Sequence, residues 1–150
     1  MGVRVRISAT ALASEALGAL ELPRDRLRQA VRAAFRSAAV REGEIALTLL
    51  ADAEIAELNF EYLHHEGPTD VISFALYQPP EPVLGDVYIG VEQAAAEARR
   101  HRIPLQQELV RLAAHGVLHV LGHDHPEGEE RTRSAMWRMQ EEIVAQVEAP

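Results

Sequence analysis

The stretch HGVLHVLGHDH, residues 115–125, contains four of the seven histidines of the chain and predicts a helix that binds a metal ion. His115 and His119 are four residues apart, so on a helix their side chains share one face and can bind one metal ion. Gly122 is expected to end that helix, because glycine reverses the backbone without steric cost. The reversal would bring His125 back toward the same ion.

Three neutral imidazoles with one open coordination position are typical of a catalytic zinc site, whereas a structural zinc site fills all four positions. The chain has no cysteine, which leaves histidine and carboxylate as its strong metal ligands. We therefore predict one zinc ion per chain, bound by His115, His119 and His125.

Two neighbours of the third predicted ligand need separate interpretation. His123 lies four residues after His119, so a ligand set with His123 in place of His125 remains an alternative. Gly122 disfavours that set, because it breaks the helix that would align the two side chains. Asp124 would orient an imidazole or take part in proton transfer, or it would cap a turn.

The composition is typical of one soluble globular domain spanning residues 1–150. Hydrophobic residues make up 47% of the chain and charged residues 25%. No apolar run approaches the ~20 residues that cross a bilayer, and the first residues lack the apolar core of a signal peptide. We expect a cytoplasmic protein that does not contact a membrane.

The basic residues are concentrated in one segment. The formal net charge of −8 argues against a polyanion-binding protein, yet residues 24–41 contain six arginines and a single acid. Four of these arginines recur every four residues and form a stripe along one side of a predicted helix: Arg24, Arg28, Arg32 and Arg36. The stripe is either a solvated face or a surface that binds the phosphate groups of a nucleic acid.

Hydrophobic periodicity predicts an α+β fold, a single domain with one small mixed sheet of about four strands packed by helices. The predicted strands cover residues 3–8, 44–50, 71–76 and 84–90. The predicted helices begin at Pro23 and Asp52 and cover residues 91–102, 104–121 and 127–147. Asp52 is expected to be a helix N-cap, and Tyr62 is expected to be buried by the helix that Asp52 begins.

The predicted metal helix resembles a zincin helix but lacks its general base. In HExxH peptidases the glutamate after the first histidine activates water on the zinc. Gly116 occupies that position and cannot transfer a proton. A metallopeptidase is therefore disfavoured, and we expect the glycine to leave space beside the metal for a phosphate group.

Several stretches together resemble the YbeY endoribonucleases, the bacterial rRNA maturation factors. HGVLHVLGHDH is similar to the HGxLHLxGyDH signature of that family. LNFEY, PTDVISF and LGDVYIG, at residues 58–62, 68–74 and 84–90, agree with the family in order and spacing.

The resemblance implies an α+β domain with zinc bound by His115, His119 and His125. These three residues and Asp124, which precedes the third ligand, are the predicted catalytic residues. It implies cleavage of single-stranded RNA in an rRNA precursor, at the 3′ end of 16S rRNA, and a role in ribosome quality control. It also implies the small ribosomal subunit and an Era-type GTPase as partners. Ser73, in the PTDVISF stretch, would face the cleft.

The chain departs from the family after the tyrosine of the LNFEY stretch. Many members have an arginine there that is important for RNA cleavage, whereas this chain has Leu63 followed by His64 and His65. Leucine can neither bind phosphate nor stabilise charge in a transition state. The candidate replacements are His64, His65 or an arginine of the stripe. This departure favours an alternative, a non-catalytic ribosome-assembly factor whose zinc stabilises the fold.

Overall fold

The computed structural model describes residues 2–124, 130 and 134–149. The described strands are β1 (Val3–Ala9), β2 (Gly43–Leu50), β3 (Val71–Ala75) and β4 (Val83–Gly90). The described helices are α1 (Ala11–Leu17), α2 (Arg24–Ser37), α3 (Asp52–Leu63), α4 (Val91–His101), α5 (Leu105–Val120) and α6 (Ala135–Glu148).

The strands form one mixed sheet in the order β1-β2-β4-β3. β1 and β2 pair in parallel, as do β2 and β4, whereas β3 runs antiparallel to β4. The single α+β domain with a mixed four-stranded sheet is confirmed. The two edge strands lie beside different helices, β3 beside α5 and β1 beside α2.

The main core lies between the sheet and the helices α2, α5 and α6, with α5 in the middle of this layer. α2 contributes an apolar face at helical spacing, which includes Leu27, Val31 and Phe35, all at most 1% exposed. The inward residues of β2, such as Leu47, alternate with half-exposed ones as a strand covered on one face requires. The predicted metal helix is therefore the most central helix of the domain.

Two glycines let α5 lie close to the sheet. A β-carbon on Gly116 of α5 would lie 2.5 Å from Cγ1 of Val87 and 3.0 Å from the hydroxyl oxygen of Ser73. A β-carbon on Gly85 of β4 would lie 2.5 Å from Cγ1 of Val120. The expectation of free space at Gly116 for a phosphate is wrong, because Val87 and Ser73 fill that space.

The structure differs from the sequence expectations at α3. Ala51 is the N-cap, and Asp52 is the first helical residue, so the expected cap is wrong by one position. The Ala51 N–H donates to the carboxylate of Glu54 at 2.9 Å, and this bond serves the helix start in place of an Asp52 cap. Tyr62 is 56% exposed rather than buried, because α3 packs on the sheet chiefly through earlier residues such as Ile55.

Two further helices, α1 and α6, each begin after a residue whose hydroxyl caps the helix. α1 was not predicted, because its seven residues bury only Ala13 and show no apolar stripe. Its start is capped by the Thr10 hydroxyl, which accepts from the Ala13 N–H at 3.1 Å. α6 is described from Ala135, and Ser134 before it is extended and caps the helix by accepting from the Trp137 N–H. Residues 127–129 and 131–133, where this helix was expected to begin, lie outside the described residues.

Among the described residues, none of the helices is long and apolar enough to cross a membrane.

Candidate metal centre

His115 and His119 project from the last two turns of α5 toward one point. Their Nε2 atoms are 3.2 Å apart, and the ring planes meet at 77°. Two imidazoles that bind one zinc ion tetrahedrally, at 2.0–2.1 Å each, have nitrogen atoms about 3.3 Å apart. The spacing of the two histidines therefore fits two ligands of a single ion.

The helix ends after these histidines as glycine predicts. Gly122 has a φ of 97°, its N–H donates to His119 O, and the His123 N–H donates to Leu118 O at 2.9 Å. This pair of bonds is a Schellman motif, which reverses the chain at the end of a helix.

The residues that follow this reversal differ in how exposed they are. His123 is half-buried and Asp124 is exposed, while His125 lies outside the described residues. Within residues 2–124, 130 and 134–149 no group of three histidine or carboxylate side chains could enclose a metal. The described part of the centre is the pair His115 and His119.

The inner nitrogen of His115 has a buried partner that the sequence analysis did not identify. Nδ1 of His115 lies 2.7 Å from Oε1 of Gln140, which projects from α6 and is 1% exposed. Ligating histidines commonly donate their second ring N–H to an oxygen acceptor. No spacing signal reveals this contact, because the two residues are 25 positions apart on different helices.

A charged cluster continues behind Gln140. The Gln140 amide nitrogen donates to Oε2 of Glu141 at 2.9 Å. Arg111 donates to both oxygens of Glu141, at 2.9 and 3.0 Å, and to Glu108 at 3.0 Å. His115, Gln140, Glu141, Arg111 and Glu108 thus form one hydrogen-bonded chain between α5 and α6.

The charges of the two carboxyl groups in this hydrogen-bonded chain follow from burial and from the guanidinium of Arg111, which both carboxyl groups share. Burial raises the pKa of Glu108, and its bond to Arg111 offsets part of the rise. Burial also opposes the charge on Glu141, but the bonds from Arg111 and Gln140 prevail and lower the pKa of that carboxyl. Hydrogen bonding to Glu141 in turn raises the pKa of Arg111. Glu141 and Arg111 therefore form a persistent ion pair near neutral pH.

A cleft of about 400 Å³ opens beside the histidine pair, along the edge strand β3. Ser73 lines this cleft together with both histidines, and Leu63 from the end of α3 lies at its side. His64 is exposed and ends α3 in a left-handed conformation, and it is not among the residues that line the cleft. The described walls of the cleft are largely apolar: Leu63, Val71, Ile72, Ser73, Ala75, His115, His119 and Val120.

The arginine stripe lies at the other edge of the sheet. Arg24 donates to the Ile7 carbonyl at 2.7 Å and Arg32 donates to the Val3 carbonyl at 3.4 Å, so both contact the backbone of β1. Arg28 lies 3.7 Å from the exposed carboxylate of Asp25. β1 and β3 are separated by three strand spacings, about 14 Å. The structure therefore does not bring the stripe next to the histidine pair.

Comparison with known proteins identifies relatives over most of the chain. The family model of Endoribonuclease YbeY matches residues 15–148. Endoribonuclease YbeY of Desulfitobacterium hafniense strain Y51 is 42% identical over 126 residues, which cover 77% of this chain and 79% of that protein. Endoribonuclease YbeY of Persephonella marina strain DSM 14350 / EX-H1 is 32% identical over 140 residues, which cover 91% of each.

A solved structure has a similar fold. The solution structure of TM1509 from Thermotoga maritima superposes with a TM-score of 0.63 and covers 95% of this chain and 88% of that one. The sequence identity is 24%, so this similarity concerns the fold alone.

Proposed function

The chain belongs to the endoribonuclease YbeY family, and we propose that it is a zinc-dependent endoribonuclease that cleaves single-stranded RNA during rRNA maturation. The observation that carries the proposal is the convergence of two Nε2 atoms, those of His115 and His119, at 3.2 Å. A chain without cysteine that presents paired imidazoles beside an open cleft has the donor chemistry that zinc prefers.

The side chains near the cleft have separate roles in the proposed reaction. His115 and His119 would hold the ion together with His125, and bound zinc supplies Lewis acidity that activates water at neutral pH. Ser73 lines the same cleft and its hydroxyl can donate to a phosphate oxygen. Asp124, adjacent to the third ligand in sequence, is the proposed proton-transfer or orienting group.

Part of the arginine stripe supports RNA binding outside the cleft. Arg24 and Arg32 already donate to the backbone of β1, so their guanidinium groups have a structural use. Arg36 is exposed, and the ion pair of Arg28 with the exposed carboxylate of Asp25 is long, at 3.7 Å. We assign phosphate contacts to Arg28 and Arg36, which would bind RNA that extends beyond the cleft.

Zinc content and RNA cleavage measured on the same samples test the proposal. The wild-type chain should contain one zinc ion, and His119→Ala should lose most of it, because two imidazoles seldom retain zinc. Cleavage of a single-stranded RNA should disappear on removal of zinc and return when zinc is restored. The matched control is His101→Ala, which removes an exposed histidine of α4 and should change neither quantity. Full zinc content in His119→Ala would contradict the ligand assignment.

A second candidate function rests on Leu63. This residue lies at the cleft where many members of the family carry an arginine, and a leucine side chain cannot stabilise charge on a phosphate. The candidate is an assembly factor in which zinc stabilises the fold and no RNA is cleaved. It predicts that zinc raises the unfolding temperature while RNA cleavage stays at the level of the His119→Ala variant.

A peptidase is disfavoured further by the packing of α5. The position of the glutamate in HExxH peptidases is Gly116, and any side chain there meets Val87 and Ser73. A general base could not be restored at this position without moving the helix. Absence of chelator-sensitive hydrolysis of an unfolded protein substrate is the expected result.

A further inference from the structure

The hydrogen bonds of Gln140 determine which way its amide faces. Its nitrogen donates to Glu141, whose ionised carboxylate only accepts hydrogen bonds. That carboxylate is held in turn by two parallel bonds from Arg111, a rigid bidentate geometry. The amide oxygen of Gln140 must then face His115, and a flipped amide would leave an N–H directed at the ring and an oxygen directed at a carboxylate.

An amide oxygen toward His115 determines the tautomer of that ring. Oε1 of Gln140 lies 2.7 Å from Nδ1, and because an amide oxygen only accepts, Nδ1 must carry the proton. A neutral imidazole has one N–H, so Nε2 keeps its lone pair. Nε2 is the atom that lies 3.2 Å from Nε2 of His119, on the side where the ion would bind.

We propose that Gln140 is a positioning residue for the metal centre, and that the Glu141–Arg111 ion pair positions Gln140. Through these hydrogen bonds, α6 holds His115 in the tautomer that binds metal, with Nε2 deprotonated before any ion binds. The proposal rests on the proposed zinc function and adds to it Gln140 and Glu141 of α6, together with Arg111 of α5.

The burial of Gln140 separates this role from simple packing. A side chain that is 1% exposed between two helices could be apolar, and methionine fills nearly the same volume without polar groups to desolvate. If Gln140 served only the packing of α6 on α5, such a replacement would change stability but not the metal affinity of the folded protein. If it positions His115, metal affinity changes.

The experiment measures zinc affinity of the full chain by competition with a chromogenic chelator. Gln140→Met should weaken zinc binding about 10–100-fold, the usual effect of removing a partner of a ligating histidine. Gln146→Met, on an exposed position of the same helix, is the matched control and should bind zinc like the wild type. The double change Gln140→Glu with Glu141→Gln conserves net charge and places a carboxylate acceptor beside Nδ1, so it should restore most of the lost affinity.

A second measurement applies where Gln140→Met does not fold. In zinc-free wild-type protein, nitrogen-15 NMR of the histidine rings should show His115 protonated at Nδ1, and Glu141→Gln should reduce the population of that tautomer. Protonation of His115 at Nε2 would overturn the proposal. So would equal zinc affinity of wild type and Gln140→Met, although that result leaves the proposed function standing. A wild-type chain that binds no zinc would overturn both.

Discussion

Replacing Gly116 with alanine tests whether α5 needs its close approach to the sheet. The added β-carbon would lie 2.5 Å from Cγ1 of Val87 and 3.3 Å from Cγ2 of Val71. Val87 is fully buried in β4, which has a strand on either side, so its backbone has little freedom to withdraw. The helix must then move, or the valine must leave its rotamer.

The expected magnitude follows from two opposing terms. Overpacking a well-filled core costs about 1–3 kcal/mol, and the rigid position of Val87 favours the upper end. Alanine is a better helix former than glycine by about 1 kcal/mol. The net loss of unfolding free energy is therefore about 2 kcal/mol, which lowers Tm by roughly 4–8 °C in a domain of this size.

A double-mutant cycle measured by urea unfolding isolates the clash. Val87→Ala alone destabilises the chain by leaving a cavity, and in the double variant the new methyl group at position 116 occupies that cavity. The double variant should be about 2 kcal/mol more stable than the sum of the two single changes predicts. Additivity within about 0.5 kcal/mol, or a Gly116→Ala variant as stable as the wild type, would refute the reasoning.

Three other predictions concern the cleft, the basic surface and the buried ion pair. Leu63→Arg should raise RNA cleavage roughly tenfold or more by supplying charge at the cleft, and Leu63→Met should not; equal rates would exclude a role for this position. Replacing Arg28 and Arg36 with glutamine should flatten the salt dependence of RNA binding by about 1.4 units, two phosphates at about 0.7 each. The same replacement at Arg99 and Arg100, the exposed arginines of α4, should leave the salt dependence unaltered. Glu141→Gln should lower stability by roughly 1–2 kcal/mol at neutral pH, a value reduced for the partial exposure of the site. Because the folded pKa of Glu141 is lowered, this deficit should shrink as the pH falls below the ordinary range of a carboxyl. Glu108→Gln should lower the unfolding free energy less than Glu141→Gln does, since burial already penalises the charge on Glu108. Denaturant titrations at several pH values compare the two variants.

Features encoded within one or two helical turns could be predicted from the sequence. The convergence of His115 and His119 follows from the four-residue period of a helix. The reversal at Gly122 follows from the left-handed conformation that glycine adopts readily. The strands could be found to within one or two residues, because their buried and exposed positions alternate.

Features that depend on distant parts of the chain could not be predicted. Gln140 contacts His115 only because α6 packs on α5, and nothing in its own helix distinguishes it from an ordinary buried glutamine. Gly116 was interpreted from the chemistry of its position in a motif, whereas its actual neighbour, Val87, lies on a strand. Tyr62 satisfied the helical apolar pattern of α3, but its ring meets Phe74 of the edge strand β3 edge-on and stays 56% exposed.

The arginines over β1 have a consequence for how the molecule behaves at high concentration. An edge strand with free carbonyl groups invites strands of other molecules to pair with it, which is a common route to aggregation. Arg24 and Arg32 donate hydrogen bonds to the carbonyl groups of Ile7 and Val3. A strand of another molecule must therefore displace two guanidinium groups before it can pair with β1. A variant without these two arginines would stay folded, but its molecules would associate through their β1 edges. Its solubility would therefore fall more than its activity.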